Sequence, residues 1–384
     1  MKISILKESL CLGGTEKSAA NISELLSQKY DVEVVLYDGS EIAYQYGGRL
    51  VDLNLPAQKT YLKRVINNLK RIVRYISYLN KAKPDIVYQF VSYSNPVGMI
   101  PLRKSTKIVS CRDFGALKRN IKKYKLRLNL SNAMVCNSQY MKDYYLKFYP
   151  EDEKKVFSIN NVVDVDRVVE KSNEKVDAEF IEFRDKHKNL IVSVGRFCEE
   201  KAFDCLIKAF AKVREKNADV GLVLIGDGKL KEKYLKLINE YDLDAYVFFT
   251  GFQKNPYRYM SKCDIFVLSS YSEGFPNVIV EAMSLSLPVI SVNCFSGPAE
   301  ILTQNGDYFR ANVGFENCEF GILTPHYDVK GKEFAISELS KAILFLISNE
   351  DNFRHYSALA AIRAEQYKAK SIFNQFDTLF NNLI

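Results

Sequence analysis

Two successive series of short, predominantly apolar segments, each followed by a loop and an amphipathic stretch, restrict this chain to few architectures. In the first half the segments are 3–6, 32–37, 86–90, 107–110 and 133–136; in the second they are 190–194, 221–225, 246–250, 264–268 and 288–292. A strand that is apolar on both sides and joined to the next through a helix belongs to a parallel sheet covered on both faces. The chain has 384 residues, too many for one ordinary core, so two domains of about 150 to 200 residues are expected. The charged, weakly patterned stretch 165–188 reads as the linker. The prediction is α/β: two doubly wound domains facing a central cleft, with the ligand at the carboxyl ends of the strands. A terminal amphipathic segment, 371–384, fits either domain.

Composition removes several function classes. Apolar residues make up 47% and charged residues 26%, and 18 Gly with 10 Pro leave no room for a long disordered tract. No apolar run is long enough to cross a bilayer, and the opening Met-Lys-Ile-Ser-Ile-Leu-Lys-Glu reads as a strand, which places the protein in the cytoplasm. The eight cysteines form no Cys-x-x-Cys pair, and His187, His326 and His355 stand alone. Zinc chemistry and a Ser-His-Asp relay are thereby disfavoured. Charge is uneven: residues 1–165 hold 27 Lys and Arg against 15 Asp and Glu, the remainder 27 against 31. The first half therefore offers a positive face to something anionic.

Three motifs carry chemistry. Glu273 and Glu281 bracket Glu-Gly-Phe-Pro-Asn-Val-Ile-Val-Glu, where Gly274 and Pro276 end a strand and a helix begins. The unpaired N–H groups of a helix start suit phosphate or hydroxyls. A carboxylate one turn deeper, as Glu281 is, can accept both hydrogen bonds of a vicinal diol. The plainer alternative is a surface turn carrying an ordinary glutamate. Gly-Arg-Phe-Cys-Glu-Glu-Lys follows the strand 190–194, placing Arg196 and Lys201 on a loop after the strand's carboxyl end. Those two cations suit a diphosphate, the arginine as a fork and the lysine as a point charge; a solvated surface pair is the alternative. Gly13-Gly14-Thr15 lets backbone approach a phosphate or sugar closely, although Gly-Gly is often only a turn.

Taken in order, Gly13-Gly14-Thr15-Glu16, Asn160-Asn161-Val162-Val163-Asp164, Gly195-Arg196 with Lys201, Gly226-Asp227-Gly228 and Glu273-x7-Glu281 resemble the large retaining glycosyltransferase family 4. Gly251-Phe252-Gln253, Asn255-Pro256-Tyr257 and Gly297-Pro298-x-Glu300-Ile301 are similar to its bacterial branch that builds capsule, O-antigen and related glycans on polyprenyl-diphosphate carriers. The resemblance implies a GT-B fold of two Rossmann-like domains. Residues 1–168 would bind the acceptor and 169–367 the nucleotide sugar, with a helix at about 368–384 packing back onto the first domain. Arg196 and Lys201 would hold the donor diphosphate, Glu281 the ribose and Glu273 the transferred sugar, the three catalytic positions being Arg196, Lys201 and Glu273. Gly13, Gly14, Gly251, Phe252, Tyr257, Gly274, Phe275, Asn277 and Val278 would complete the donor site. The donor implied is a UDP-hexose or UDP-N-acetylhexosamine, transferred with retention, without metal or cofactor, to a lipid-linked saccharide. One departure stands out: the loop after the fourth strand reads Ser110-Cys111-Arg112-Asp113-Phe114, without the histidine many members carry there. Arg112 and Asp113 are assigned to acceptor positioning instead. An epimerase of the same fold would need acid and base groups around the sugar, and a non-enzymatic membrane scaffold would leave these residues without a joint purpose.

From 61 to 79, apolar residues recur at 62, 65, 66, 69, 72, 73, 76 and 79, with Lys63, Arg64, Lys70, Arg71 and Arg74 largely off that stripe. The stripe is expected to pack on the domain's own sheet. The cations, with a second basic cluster at 116–127, face an anionic membrane surface, which makes the protein peripherally associated with the inner face of the membrane. No nucleic-acid motif is present.

Overall fold

A computed structural model describes residues 1–11, 13–90, 97, 100, 104–304 and 312–384. The chain divides into two compact units, one of Met1–Val162 with Ala369–Ile384, the other of Val163–Lys368.

The first unit is built on β1 (Lys2–Lys7), β2 (Asp31–Leu36), β3 (Arg49–Asp52), β4 (Ile86–Gln89), β5 (Thr106–Cys111), β6 (Ala133–Cys136) and β7 (Val156–Ser158). They run in the order β3-β2-β1-β4-β5-β6-β7, every pair parallel. The order reverses between β1 and β4, and the Gly13-Gly14 turn follows β1. Helices Gly14–Leu26 and Ala369–Leu383 bury Ala19, Ile22, Leu26, Ile372, Phe376 and Phe380 against Ile3, Ile5, Val34 and Tyr88 in one apolar cluster.

The second unit repeats the plan. Its strands are β8 (Asn189–Val194), β9 (Val220–Ile225), β10 (Val247–Gly251), β11 (Ile265–Leu268), β12 (Val289–Val292), β13 (Glu316–Asn317) and β14 (Ile322–Thr324), ordered β10-β9-β8-β11-β12-β14-β13. Only β13 is antiparallel. The reversal lies between β8 and β11. All six residues of β9 and all four of β11 and β12 are buried, which is why these segments carry no polar alternation.

Two expectations are corrected. The stretch 165–188, read as a linker, forms helices Val165–Ser172 and Ala178–Asp185. Their Val165, Val168, Phe180 and Phe183 belong to the second unit's core. Widely spaced apolar positions among charges hid that packing. The apolar stripe of helix Tyr61–Ala82 packs on the sheet only in part: Ile72 and Leu79 join the cluster of Leu6, Val35, Tyr75 and Val87, while Leu62, Val65, Ile66, Leu69, Val73 and Ile76 are exposed. The helix meets its own unit through Asn67 and Tyr75, its buried residues. Asn67 donates to Pro56 O (2.8 Å), and Arg71 Nε and Nη2 donate to Leu55 O (3.1 and 2.8 Å). The underside thus combines Ile72, Tyr75, Tyr78 and Leu79 in an apolar cluster with polar groups satisfied by backbone carbonyls, and the remaining apolar side faces outward.

Candidate active site

In an open parallel sheet the loops on either side of the order reversal diverge, leaving a crevice at the carboxyl ends. In the second unit those loops are 195–201 after β8 and 269–276 after β11. They are tied together: Tyr271 N donates to Glu200 O (2.8 Å) and Ser269 Oγ to Lys201 O (2.9 Å). Lys201 Nζ stands 2.6 Å from Glu273 Oε1, and Ser270 Oγ donates to the same oxygen (2.7 Å). Burial works to lower the Lys201 ammonium, but the adjacent Glu273 carboxylate holds it above the usual lysine range. Glu273 is thereby fixed at the mouth of the crevice. Arg196, on the same loop as Lys201, is exposed and enters no ion pair among the described residues.

The neighbouring loops are shaped by close approach. Gly226 has φ +147°, and a Cβ there would stand 1.9 Å from Gly195 O; Gly228 (φ +156°) lies as tightly against the Phe197 backbone. The Gly226-Asp227-Gly228 turn thus presses the Arg196 loop into place, with Phe197 N donating to Asp227 O (2.9 Å). After β11, Pro276 occupies the position before helix Asn277–Ser284, so Asn277 and Val278 open the helix and Glu281, on its second turn, is buried. The Gly274 carbonyl accepts from Ser296 Oγ (2.7 Å) and Gly297 N (2.9 Å). A Cβ at Gly297 would lie 2.4 Å from Pro276 Cδ, so only glycine lets the two turns meet. Ser296 holds φ +84°, ψ −128°, backbone space that otherwise belongs to glycine. Gly251 ends β10 at φ +68°, Phe252 beside it is half exposed, and Tyr257 begins the short helix Tyr257–Met260.

Arg196, Lys201, Gly251, Phe252, Tyr257, Glu273, Gly274, Phe275, Asn277, Val278 and Glu281 therefore all lie in or beside loops at the carboxyl ends of one sheet. Gly13, Gly14, Arg112 and Asp113 belong to the other unit. Gly13 N donates to Tyr44 Oη (3.1 Å), and Glu16 folds back over the turn to pair with Lys7 (2.9 Å). Burial raises the Glu16 carboxyl, yet the Lys7 ammonium prevails and holds it below the usual carboxylate range. Arg112 and Asp113, assigned to the acceptor, both have partners within their own unit. Arg112 is buried and donates to Ser110 Oγ (2.7 Å), Tyr88 Oη (2.6 Å) and Asn161 Oδ1. Asp113 caps helix Phe114–Asn129 by accepting from Ala116 N (2.8 Å). Arg112 is thereby held inside the unit, whereas Asp113 is exposed. Ser296, Lys7 and Tyr44 were not legible as site residues, because each acts across a distance in sequence, and Ser270, three positions before Glu273, belongs to no motif. A lysine closing the apolar strand β1 was the one available signal. Among the described residues no group of three His, Cys, Asp or Glu side chains could hold a metal ion, and all eight cysteines are free thiols.

With this geometry in place, the comparisons are specific. A family model described as Glycosyltransferase Family 4 matches residues 12–167. A second, described as Glycosyl transferases group 1, matches residues 175–314. The chain belongs to the family 4 glycosyltransferases. Among relatives of this glycosyltransferase, an uncharacterized glycosyltransferase of Methanocaldococcus jannaschii is 29% identical over 344 residues, covering 82% of this chain and 84% of that one. The N-acetylgalactosamine-N,N'-diacetylbacillosaminyl-diphospho-undecaprenol 4-alpha-N-acetylgalactosaminyltransferase of Campylobacter jejuni is 27% identical over 348 residues, covering 86% and 91%. The structure of Anabaena HepE in complex with UDP-glucose superposes with a TM-score of 0.74 at 18% identity, covering both chains in full. The fold of this family 4 enzyme is accordingly GT-B.

Proposed function

We propose that the enzyme moves a hexose or N-acetylhexosamine from a UDP-sugar, with retention at the anomeric carbon, to a lipid-linked saccharide at a cytoplasmic membrane surface, in the assembly of a surface polysaccharide or glycan. The observation that carries this is the Lys201–Glu273 pair (2.6 Å) at the sheet reversal, with Arg196 on the adjoining loop and Glu281 buried on the following helix. In this reading the leaving diphosphate lies against Arg196 and Lys201, which offset the charge that develops as the sugar–phosphate bond breaks. Glu281 accepts the ribose diol, and Glu273, held by Lys201 and Ser270, meets sugar hydroxyls. Cations do the work of charge neutralisation, and no metal or cofactor is called for. The departing phosphate oxygen takes the acceptor's proton on the face it leaves, so no strong base is needed. The named activity of the Campylobacter relative, which acts on an undecaprenyl-diphosphate-linked substrate, supports the lipid-linked acceptor, and the UDP-glucose in the HepE crystal supports the donor.

The test is incubation with a panel of nucleotide sugars, with and without polyprenyl-diphosphate-linked saccharides, reading nucleotide release and the anomeric configuration of the product by NMR. UDP release that depends on acceptor, with an α-linked product from an α-linked donor, is expected. Inversion at the anomeric carbon, or nucleotide release with no glycosidic product from any acceptor, overturns the proposal.

A further inference from the structure

Helix Tyr61–Ala82 covers its sheet with Ile72, Tyr75, Tyr78 and Leu79, yet it carries a second apolar row on the side turned away. Leu62, Val65, Ile66, Leu69, Val73 and Ile76 fall within an arc of about 100° on a helical wheel. They are 40–70% exposed, and Tyr61, at the first turn, is 80% exposed. The opposite side, through Asn67, Arg71 and Tyr75, is the one that meets the unit. A contiguous apolar row of this length on a soluble surface marks a site of contact with something apolar.

Its charges settle what that something is. The sequence suggested five cations free to face lipid, but three of them turn inward. Arg64 Nη2 donates to Lys59 O (3.2 Å), Arg71 to Leu55 O, and Arg74 Nη1 to Leu53 O and Asn54 O. The Arg71 guanidinium also lies 4.7 Å from the Tyr37 ring centroid. These arginines fasten the helix to the 53–59 loop. Lys63, Lys70 and Lys81 remain exposed, and at 100° per residue they line one border of the apolar arc. An apolar row edged by lysines, on a helix whose underside is anchored, is the arrangement of an interfacial membrane helix: side chains in the acyl boundary, ammonium groups at the phosphates.

We infer that helix Tyr61–Ala82 lies in the plane of a lipid bilayer and holds the enzyme there chiefly by inserting Leu62, Val65, Ile66, Leu69, Val73 and Ile76, with Lys63, Lys70 and Lys81 at the headgroups. This rests on the reading of a lipid-linked acceptor and adds how the surface bearing it is reached. Among the described residues no helix is long and apolar enough to cross a membrane, so the attachment is peripheral and reversible.

The experiment is flotation of the full chain with vesicles of phosphatidylethanolamine and phosphatidylglycerol. The wild type floats, and retains most of its binding in about 0.5 M salt, where exposed charges are screened. Val65→Ser/Leu69→Ser/Val73→Ser loses binding by about a hundredfold or more, since each side chain forfeits about tenfold of transfer free energy. Lys63→Gln/Lys70→Gln loses less, and only on the anionic vesicles. Ile362→Ser, an exposed apolar residue of a helix in the second unit, floats as the wild type does. UDP release with a detergent-solubilised acceptor stays unchanged in the triple variant, which shows that it folds and separates this inference from the transfer reaction. Equal flotation of triple variant and wild type overturns the inference, as does loss of all binding at high salt. So does a wild-type dimer, measured by light scattering, that fails to float and that the triple variant abolishes: the row would then be a contact between two copies.

Discussion

Replacing Lys201 by methionine separates what the Lys201–Glu273 pair does for the fold from what it does for transfer. The two side chains are 22% and 13% exposed and the contact is 2.6 Å, so the pair is mostly out of water. A charge-assisted hydrogen bond of this kind is worth about 1.5–3 kcal/mol. Removing the lysine leaves Glu273 with Ser270 Oγ as a side-chain partner, a carboxylate without its counter-charge. A loss of about 2 kcal/mol in urea unfolding is expected, less than for a fully buried pair because part of Glu273 reaches solvent. Lys201→Met/Glu273→Gln, in which neither charge remains, recovers about 1 kcal/mol or more of that loss. Turnover behaves differently. Loss of a cation facing developing charge costs about 10²–10³ in kcat, and the double variant does not restore it. The Lys201 ammonium is held above its ordinary range. Its stabilising contribution is therefore fully present below the unfolded lysine value of about 10.4 and is lost only as pH rises through the higher folded value. The stability gap between wild type and Lys201→Met is thus flat between about pH 6 and 9 and narrows above. Turnover of Lys201→Met within about threefold of the wild type, or recovery of turnover in the double variant, refutes the reasoning.

Arg363 is buried and donates to Ile301 O (2.8 Å), Glu300 O (2.7 Å) and Thr303 O (3.1 Å), with its guanidinium near the Phe320 and Tyr367 rings. Arg363→Met costs about 3 kcal/mol in urea unfolding, and Arg363→Lys restores little because the fork is lost; a loss under about 1 kcal/mol contradicts this. Burial pushes the Lys107 ammonium down to about 8. The folded state therefore releases that proton before the unfolded chain does, and this group makes stability rise with pH from about 8 to about 10. Lys107→Met removes that component of the rise in pH-dependent unfolding, and an identical pH profile in the variant refutes it. Ser296→Gly relieves a conformation glycine adopts freely, whereas Ser296→Ala keeps it; both lose the bond to Gly274 O. The glycine variant is more stable than the alanine variant by about 1–2 kcal/mol, while both raise the donor KM; equal stability removes the argument for strain at 296.

The inner strands were legible because burial on both faces writes a continuous apolar run, as in Leu222-Val223-Leu224-Ile225. The strands β3, β7, β13 and β14 were not. They hold four, three, two and three residues, and two residues such as Glu316-Asn317 carry no periodicity. In the site, the motifs that sit on one loop could be read directly, since Gly226, Gly228 and Gly297 are demanded by close approach. Pairings across the sheet could not: Lys201 and Glu273 are 72 residues apart, and only the order reversal between β8 and β11 brings them together. The surroundings of Arg112 were hidden for the same reason, because Tyr88 arrives from β4 and Asn161 from the loop after β7. The stripe on Tyr61–Ala82 was legible as a stripe, but its direction was not. Ile72 and Leu79 pack beside Tyr75 while the other six apolar positions face outward, a turn held by the carbonyls of the 53–59 loop that bind Asn67, Arg71 and Arg74.

The central claim is that loops at the carboxyl end of the second sheet bind the diphosphate of a nucleotide sugar through Arg196 and Lys201. Titration calorimetry of UDP and of uridine into the wild type and Arg196→Ala tests it most directly. UDP binding about tenfold or more weaker in Arg196→Ala, with uridine binding unchanged, is the predicted result. Equal UDP affinity in the two proteins, or an equal loss for uridine, contradicts it.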